Sequence, residues 1–281
     1  MILKIYSILI EGQILLKHNG IKTFKSDANF LLSKILNLKS TKNLLFKLNI
    51  KISLIKYARY VMLLNRRLKY EPIAHIIGVK NFWKKRYFIN NNVLIPRIET
   101  EVIIQLILKK IFNHKFNILD LGVGSGCIIL SLLLELKLSI GIGIDISKKA
   151  LQVAKLNAKK LHLNKRVIFL ESNWFNSLNY QNKFDIIFSN PPYITRNEWI
   201  FLENSVKNFE PHNALSDIKN DLFSCKIIAS TAVQFLKKNG VLIMEISYNQ
   251  KNEIKKIFKL NNYKFKFIKD FRNLVRFVII N

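Results

Sequence analysis

The chain has 281 residues, of which 49% are hydrophobic and 23% are charged, and its formal net charge is +28. This balance is typical of a soluble globular protein with a sizeable buried core. Residues 127–146 form the longest apolar stretch, but Glu135 and Lys137 interrupt it, and a membrane span needs about 20 mostly apolar residues. The apolar N-terminus contains Lys4 and Glu11 and precedes no small-residue cleavage site. Neither a membrane span nor a signal peptide is therefore predicted.

The sequence contains two cysteines, Cys127 and Cys225. They offer neither a disulfide framework nor the spacing of metal ligands. We therefore expect a protein of the reducing cytoplasm that holds no metal ion.

Positive charge is concentrated in the first third of the chain. Residues 1–95 carry 18 basic and 3 acidic side chains, a net charge of +15. Such a surface can attract nucleic acid or an acidic protein. Lys greatly outnumbers Arg, however, and Lys, Asn and Ile are abundant throughout the chain. A bias in genome base composition explains this pattern equally well, so contact with nucleic acid is left open but is not required.

Residues 1–74 predict a small helical domain, because apolar side chains recur there at spacings of three and four. Two such series are Ala28, Leu31, Leu32, Ile35 and Ile55, Ala58, Val61, Met62, Leu64, Leu68. Residues 75–96 contain a glycine and an aromatic cluster whose alternation predicts a hairpin. This segment is predicted to connect the helical domain to a second domain.

Residues 97–281 alternate short apolar runs with helical stretches. The predicted strands are 118–121, 140–144, 167–170, 186–188 and 241–246, followed by a closing pair near 264–268 and 275–280. Such alternation predicts a parallel sheet that is covered by helices on both faces. The expected fold is therefore α/β, a Rossmann-like doubly wound sheet, with ligands at the carboxyl ends of the strands.

A glycine-rich turn, Asp120-Leu-Gly-Val-Gly-Ser-Gly126, follows the first of these strands. Its glycines let the backbone turn tightly and approach a ligand without a Cβ in the way. Asp145 stands nineteen residues later, at the end of the next strand, where a carboxylate can accept hydrogen bonds from both hydroxyls of a ribose. These residues together resemble the S-adenosylmethionine methyltransferases with a Rossmann-like sheet. Dinucleotide binding remains an alternative at this point, although the spacing differs from Gly-x-Gly-x-x-Gly.

The tetrapeptide Asn190-Pro191-Pro192-Tyr193 follows the fourth predicted strand. Its prolines stiffen the chain and leave backbone carbonyls free to face a pocket. A planar nitrogen becomes more positive as it attacks a sulfonium methyl, and the Asn190 side-chain oxygen and the Pro191 carbonyl can accept its two N–H groups. The Tyr193 ring can pack on the planar group. The motif predicts methylation of an amide or amine nitrogen, with Asn190, Pro191 and Tyr193 as catalytic residues, and does not separate adenine, cytosine and glutamine.

Further blocks occur in the order seen in the release factor glutamine methyltransferases, and from about residue 26 onward the chain resembles this family. Besides the two turns, these blocks are 71–83, 93–101, 172–175, 209–215, the pair Lys269-Asp270 and Arg276. Several of them are not shared with nucleic-acid methyltransferases. The resemblance implies a class I methyltransferase domain over residues 97–281, preceded by a small helical domain and a hairpin.

Site residues follow from the resemblance at matching positions. The cofactor-binding residues that it implies are Gly122, Val123, Gly124, Ser125, Gly126, Asp145, Trp174 and Asn190. The substrate-binding residues that it implies are Asn190, Pro191, Pro192 and Tyr193. The Trp174 indole also offers a stacking surface for an adenine ring.

The chain departs from the family pattern at three places. Val123 replaces a usual Thr, Asn173 replaces a common acid, and residues 216–221 replace a glycine-rich acidic stretch. None of the three touches the Asn190–Tyr193 motif, so activity is still expected. The roles of Arg97, Glu99 and Glu101 stay open, since acids at the start of a helix also serve as ordinary caps.

The favoured hypothesis is methyl transfer from S-adenosylmethionine to the side-chain nitrogen (N5) of the glutamine in the Gly-Gly-Gln loop of class-I peptide chain release factors. The basic domain 1–74 would then dock an acidic factor. One alternative is adenine-N6 methylation of RNA or DNA, which needs a flipped or unpaired base. Another is a degenerate, binding-only member, against which the intact Asn190–Tyr193 motif and Asp145 argue. We expect a cytoplasmic monomer that needs no membrane.

Overall fold

A computed structural model of the chain describes residues 3–110, 115–217, 222–261 and 263–280. Contacts between residues divide the chain into two compact units. The first ends at Gly78 and also contains Glu203–Phe209, and the second comprises Val79–Leu202 and the residues from Glu210 onward.

The first unit is mainly helical. Its elements are β1 (Leu3–Lys4), α1 (Ile5–His18), α2 (Phe24–Ile35), a 3-10 helix (Thr41–Lys47), β2 (Lys51–Ile52), α3 (Leu54–Leu68), α4 (Ile73–Ile77) and α9 (Asn204–Lys207). Fully buried apolar side chains of α1, α2 and α3, among them Ile8, Leu31 and Tyr60, form its core. The predicted series Ala28, Leu31, Leu32 lies in this core, as expected of an amphipathic helix. The predicted series in α3 was wrong in part, because Ile55 and Met62 are exposed and the helix buries Tyr60 together with the predicted Leu64. The antiparallel pairing of β1 with β2 was not predicted, because two residues are too few to show alternation.

A hairpin begins the second unit. Strands β3 (Val79–Phe82) and β4 (Lys85–Phe88) pair in antiparallel fashion. The two loop residues, Trp83 and Lys84, have φ values of 41° and 62°, as a type I′ turn requires. Neither residue is a glycine, so this turn is strained and needs support. Glu101 accepts the Trp83 backbone N–H at 3.0 Å, and Glu135 accepts the Trp83 indole N–H at 2.7 Å.

The rest of the second unit is built on a seven-stranded sheet. Its strands are β5 (Asn117–Leu121), β6 (Ile140–Asp145), β7 (Val167–Glu171), β8 (Phe184–Ser189), β9 (Leu236–Glu245), β10 (Phe265–Lys269) and β11 (Val275–Ile280). Their order across the sheet is β10-β11-β9-β8-β5-β6-β7. Strands β5 to β9 are parallel, and β11 is antiparallel to its two neighbours. This arrangement confirms the predicted doubly wound α/β fold.

Helices cover both faces of the sheet. The helices of this unit are α5 (Glu101–Lys110), α6 (Cys127–Glu135), α7 (Lys148–Lys160), α8 (Arg196–Phe201), α10 (His212–Leu215), α11 (Phe223–Thr231) and α12 (Lys251–Leu260). The first three pack against one face, and α11 and α12 pack against the other. In β8, Ile186 and Phe188 belong to the first core, whereas Phe184 and Ile187 belong to the second. Successive strand residues thus serve opposite layers.

Cys127 and Cys225 are both buried and both free thiols. Within residues 3–110, 115–217, 222–261 and 263–280, no three His, Cys, Asp or Glu side chains gather as a metal ion would require. None of the helices described for this chain has both the length and the apolar character of a membrane span.

Replacing Ile187 with Ala tests the central strand. Ile187 is fully buried in β8, so the substitution leaves a cavity, and we expect the free energy of unfolding to fall by about 2–5 kcal/mol. Ile168→Ala on the edge strand β7 is the matched control. Its side chain is 60% exposed, and we expect a change within about 0.5 kcal/mol. Urea denaturation measures both, and equal losses would contradict the assigned layers.

Candidate active site

The glycine-rich turn lies at the carboxyl end of β5 and is held against the end of β6. The backbone N–H groups of Gly122 and Val123 both donate to the Ile144 carbonyl at 2.8 Å. Gly122 and Gly124 have φ values of 77° and 52°, a region that L side chains rarely adopt. A Cβ on either glycine would have no protein atom nearer than 3.9 Å. The two glycines therefore leave a space in front of the turn that a ligand can fill.

Gly126 has a different task. Its φ is 76°, and a Cβ there would lie 3.1 Å from a Leu130 methyl and 3.3 Å from the Ala154 methyl. This glycine therefore permits close packing of α6 against α7. Asn157 of α7 fastens the same region, since its side-chain N–H group donates to the Ser125 carbonyl and to the Phe88 carbonyl at 2.9 Å each. The hairpin, α7 and the glycine turn are thus joined by one amide.

Asp145 ends β6 beside the glycine turn. One of its oxygens accepts the Gly124 N–H at 2.9 Å, and the other accepts the Ser147 N–H at 2.9 Å. A carboxylate offers about four acceptor positions, so each oxygen can accept one more hydrogen bond. Burial raises the pKa of Asp145, and the backbone N–H groups of Ser147 and Gly124 lower it in part. The carboxylate is oriented before any ligand arrives, as recognition of a ribose diol requires.

Asp120, the last but one residue of β5, lies below the turn and is only 1% exposed. Neither of its carboxyl oxygens has a hydrogen-bond partner among the described residues. Burial raises the pKa of Asp120 well above its ordinary value, and the neighbouring Asp145 raises it further. An acid in such surroundings favours its neutral form or the approach of a cation.

Residues after β7 complete this end of the sheet. The Ser172 N–H donates to the Asp145 carbonyl at 3.1 Å and so joins the ends of β6 and β7. Trp174 has a φ of 52°, and its indole packs on the second core while one side faces the cavity. Asn173 lies beside it, exposed at the cavity wall.

The Asn190–Tyr193 turn follows β8, the neighbour of β5. A Cβ on Gly122 would lie 3.9 Å from the Asn190 carbonyl oxygen, so the two predicted motifs are adjacent. Within the described chain the Asn190 side-chain amide makes no hydrogen bond, and it lines the cavity together with Pro192. Pro191 and Tyr193 do not line the cavity. The Tyr193 ring turns into the protein, where its hydroxyl donates to Glu245 at 3.3 Å.

One wall of the cavity is fixed by Glu210. This acid is buried, and its two oxygens accept the Ile95 N–H at 3.0 Å and the Arg97 guanidinium at 2.6 Å. A buried carboxylate with two such donors is satisfied. Two blocks that lie 113 residues apart, around Arg97 and around Glu210, therefore form one piece of wall.

The other residues with open roles also have partners. Glu99 pairs with Arg272 at 3.0 Å, and Glu101 supports the Trp83 turn. Thr100, which lines the cavity, donates to Glu245 at 2.8 Å. Glu245 was not predicted as a site residue, since a lone acid at the end of an apolar strand gives no motif.

These elements enclose a cavity of about 830 Å³ at the carboxyl edge of the sheet. The predicted residues that line it are Gly122, Val123, Gly124, Ser125, Asp145, Trp174, Asn190 and Pro192. Gly126, Pro191 and Tyr193 belong to the same two turns but are not among the lining residues. Asp217 lies at the rim, but residues 218–221 of the divergent 216–221 loop lie outside the described residues.

The cavity fits S-adenosylmethionine on three observations. The space before Gly122 and Gly124 accepts an extended chain close to the backbone. Asp145 retains acceptor positions for two ribose hydroxyls. Buried carboxyl groups also favour a ligand that carries a sulfonium charge and an ammonium charge. The residues present therefore suit this cofactor better than a pyrophosphate, which would meet the Asp145 carboxylate at the cavity wall.

Replacing Asp120 with Asn tests the buried acid. Its pKa in the folded protein is raised, so its contribution to stability is present below about pH 4 and is lost as the pH rises. We expect the variant to gain stability relative to the wild type between pH 5 and pH 8, measured by urea denaturation. Ser131→Ala is the control, because it changes a buried polar side chain that has no ionisable group. Its stability relative to the wild type should be the same at pH 5 and at pH 8. If the stability of Asp120→Asn relative to the wild type is also the same at pH 5 and at pH 8, the pKa of Asp120 is not raised.

Two family models match the chain. A model described as a PrmC N-terminal domain matches residues 7–78, and a model described as a methyltransferase domain matches residues 112–276. Among solved structures, the chain resembles the hMettl16 catalytic domain in complex with MAT2A 3'UTR hairpin 6, with a TM-score of 0.56 over 80% of this chain and 81% of that one. Sequence identity to that structure is 14%, so the likeness concerns the fold alone.

Curated relatives are closer in sequence. The chain is 38% identical over 258 residues to a bifunctional methyltransferase of Rickettsia typhi, a match that covers 85% of this chain and 49% of that protein. It thus spans about half the length of that relative. It is 39% identical over 238 residues to the release factor glutamine methyltransferase of Buchnera aphidicola subsp. Schizaphis graminum, with 84% of each chain covered. These matches confirm the resemblance noted from the motifs, and the chain belongs to the release factor glutamine methyltransferase family.

Proposed function

We propose that the protein methylates the side-chain nitrogen (N5) of the glutamine in the Gly-Gly-Gln loop of class-I peptide chain release factors, with S-adenosylmethionine as methyl donor. The observation that carries this proposal is the Asn190–Tyr193 turn. A Cβ on Gly122 of the glycine turn would lie 3.9 Å from the Asn190 carbonyl oxygen. Asn190 lines the cavity, and its side-chain amide makes no hydrogen bond within the described chain. Membership of the family supports the choice of a glutamine side chain over a nucleobase.

The cofactor would be held by residues at the ends of β5, β6 and β7. The backbone of Gly122–Ser125 would meet its amino-acid part, the Asp145 carboxylate would accept from its ribose, and Trp174 would offer a ring face to its adenine. When bound, the cofactor supplies a methyl carbon on sulfur, so that a nitrogen–carbon bond forms, the carbon–sulfur pair returns to sulfur and one N–H proton leaves.

The chain's own residues would orient and polarise the target amide. An amide lone pair is delocalised, so the nitrogen needs help as it becomes more positive. The Asn190 side-chain oxygen and the Pro191 carbonyl would accept its N–H groups and aim the nitrogen at the methyl. A strong base is not needed for this, because the released proton becomes acidic during transfer.

The helical unit would dock the protein substrate. The three acidic side chains before Gly78 all have partners: Glu11 accepts from Tyr57, Asp27 pairs with Arg67, and Glu71 pairs with Arg66. Because the basic side chains before Gly78 greatly outnumber these three acids, this segment carries a net positive charge that attracts an acidic factor. A substrate of the translation machinery would also place the protein in the cytoplasm, and a monomer suffices for this role.

The substrate is tested with labelled S-adenosylmethionine and three acceptors. These are purified release factor, the same factor with its Gly-Gly-Gln glutamine changed to alanine, and total RNA. We expect label in the wild-type factor alone, and the signal should weaken with salt because docking is electrostatic. Label in RNA would support adenine-N6 methylation instead and overturn the proposed substrate.

Asn190→Ala tests the site. The variant loses one of two acceptors for the amide, so we expect kcat to fall by about 10²-fold or more, on the scale of losing an oxyanion-hole donor. Affinity for S-adenosylmethionine, measured by calorimetry, should change far less. Asn261→Ala, the same change at the end of α12, should leave kcat unaltered. An equal loss of cofactor affinity in Asn190→Ala would make Asn190 mainly a cofactor ligand.

A further inference from the structure

A glutamine in the segment after the neighbouring strand β9 holds the Asn190–Tyr193 turn. Gln250 lies in a short 3-10 helix (Tyr248–Gln250) that follows β9. Its side-chain N–H group donates to the Tyr193 carbonyl at 2.6 Å, while its side-chain oxygen accepts the Ser247 N–H at 3.3 Å. Gln250 is buried, so both ends of its amide are used and its orientation is set.

A buried acid holds the other end of the same tyrosine. The Tyr193 hydroxyl donates to one oxygen of Glu245 at 3.3 Å, and the Thr100 hydroxyl donates to the other at 2.8 Å. Glu245 is the last residue of β9 and is 1% exposed. A desolvated carboxyl in this position is costly unless its hydrogen bonds are made. Tyr193 is therefore bound at both its carbonyl and its hydroxyl.

Neither Glu245 nor Gln250 lines the cavity. Sheet register explains how they act at a distance: β8 and β9 are parallel, with Ser189 opposite Met244. The residues after Ser189 and after Met244 therefore leave the sheet side by side. Their hydrogen bonds reach the site through Tyr193, which belongs to the reactive turn, and through Thr100, which lines the cavity.

The reactive groups themselves lack such anchors. Asn190 makes no side-chain hydrogen bond within the described chain. The two prolines that follow it stiffen the turn, but they do not fix the direction in which the turn points. Transfer to a weak nucleophile needs both acceptors placed within tenths of an ångström. Tyr193 is the point at which the turn is fastened to the rigid sheet.

We propose that Glu245 and Gln250 are positioning residues for methyl transfer, which hold Tyr193 at both ends and thereby direct the Asn190 side chain and the Pro191 carbonyl toward the substrate amide. This inference rests on the proposed function, since it assigns these two acceptors to an amide. It extends the site by two buried residues that do not line the cavity.

The surroundings of Glu245 give the positioning a pH dependence. The pKa of Glu245 is raised to about 7, mainly by burial. Hydrogen bonds from Thr100 and Tyr193 and the charge of Arg276 lower it in part, and the charge of Glu99 raises it. Cys127 on α6 also faces this acid. Above pH 7 the carboxylate accepts from both hydroxyls, whereas the protonated acid must donate one hydrogen bond itself. The hold on Tyr193 is therefore firmer on the alkaline side.

The kinetic test compares Glu245→Ala, Glu245→Gln, Gln250→Ala and Tyr193→Phe with Tyr87→Phe. The last variant is a matched control, because it removes a buried tyrosine hydroxyl that bonds Ser131 at 2.6 Å, away from the site. We expect kcat to fall by about 10-fold or more in Glu245→Ala, Gln250→Ala and Tyr193→Phe, with cofactor Kd within about 2-fold. Glu245→Gln should keep part of the kcat that Glu245→Ala loses. In the wild type we expect kcat to rise between pH 6 and pH 8, and this rise should be absent in Glu245→Gln.

Hydrogen exchange supplies a readout that needs no substrate. The Ile194 N–H, next to Tyr193, donates to the Leu215 carbonyl at 2.9 Å. Its exchange should accelerate in Gln250→Ala and Glu245→Ala and stay unchanged in Tyr87→Phe, because only the former release the turn.

The outcomes separate the two proposals. No label in the release factor with the wild-type protein would overturn the proposed function, and hydrogen exchange would still decide whether Glu245 and Gln250 hold the turn. Wild-type kcat in the variants, or unaltered Ile194 exchange, would overturn the positioning role. If Tyr193→Phe and Glu245→Gln lose cofactor affinity by the same factor as kcat, or melt at a clearly lower temperature than the wild type, these residues have a structural role only. That outcome would also overturn the positioning role.

Discussion

The site depends on the parallel pairing of β5 with both β6 and β8. Leu121 lies opposite Ile144 on one side and Ser189 on the other, so the segments that follow these three strands leave the sheet at the same level. This register brings the glycine turn, Asp145 and the Asn190–Tyr193 turn together. Two side chains reinforce it, since Asp145 accepts the Gly124 N–H and the Ser189 hydroxyl donates to the Leu121 carbonyl. A cofactor pocket and a reactive turn are adjacent because backbone hydrogen bonds align the strand ends. A shift of one residue in either pairing would also exchange the two apolar faces that pack into separate cores.

Acidic side chains are buried near the cavity, whereas the basic side chains lie mainly at the surface. Near the cavity, the buried carboxyls of Asp120 and Glu245 have raised pKa values because burial disfavours their charged forms. Glu210 lies equally deep but is engaged by Arg97 and a backbone N–H. The basic side chains lie mainly at the surface, where water screens them. The large net charge therefore concerns approach of a partner, whereas the few buried acids concern the site.

Local conformation and long-range contacts support one another around the cavity. The Trp83-Lys84 turn adopts positive φ values without glycine, and two acids from α5 and α6 hold it through the Trp83 backbone and indole N–H groups. Asn157 then joins that hairpin to the glycine turn. The wall around Arg97 is fastened in the same manner by a distant acid. The hairpin and the wall around Arg97 are thus held by acids that are distant in the sequence, which gives this part of the site the rigidity that directed group transfer needs.

The sequence by itself determined the element types, the doubly wound sheet and the two motifs. Alternation of strands and helices, glycine spacing and the paired prolines are local patterns, and local backbone preferences carry them. Only the tertiary structure decided that Tyr193 turns away from the cavity and that Glu245, Gln250 and Glu210 support the site. Glu245 lies 52 residues from Tyr193, and a lone Glu or Gln has no motif that names its partner. Such pairings follow from strand register and packing, which exist only once the chain has folded.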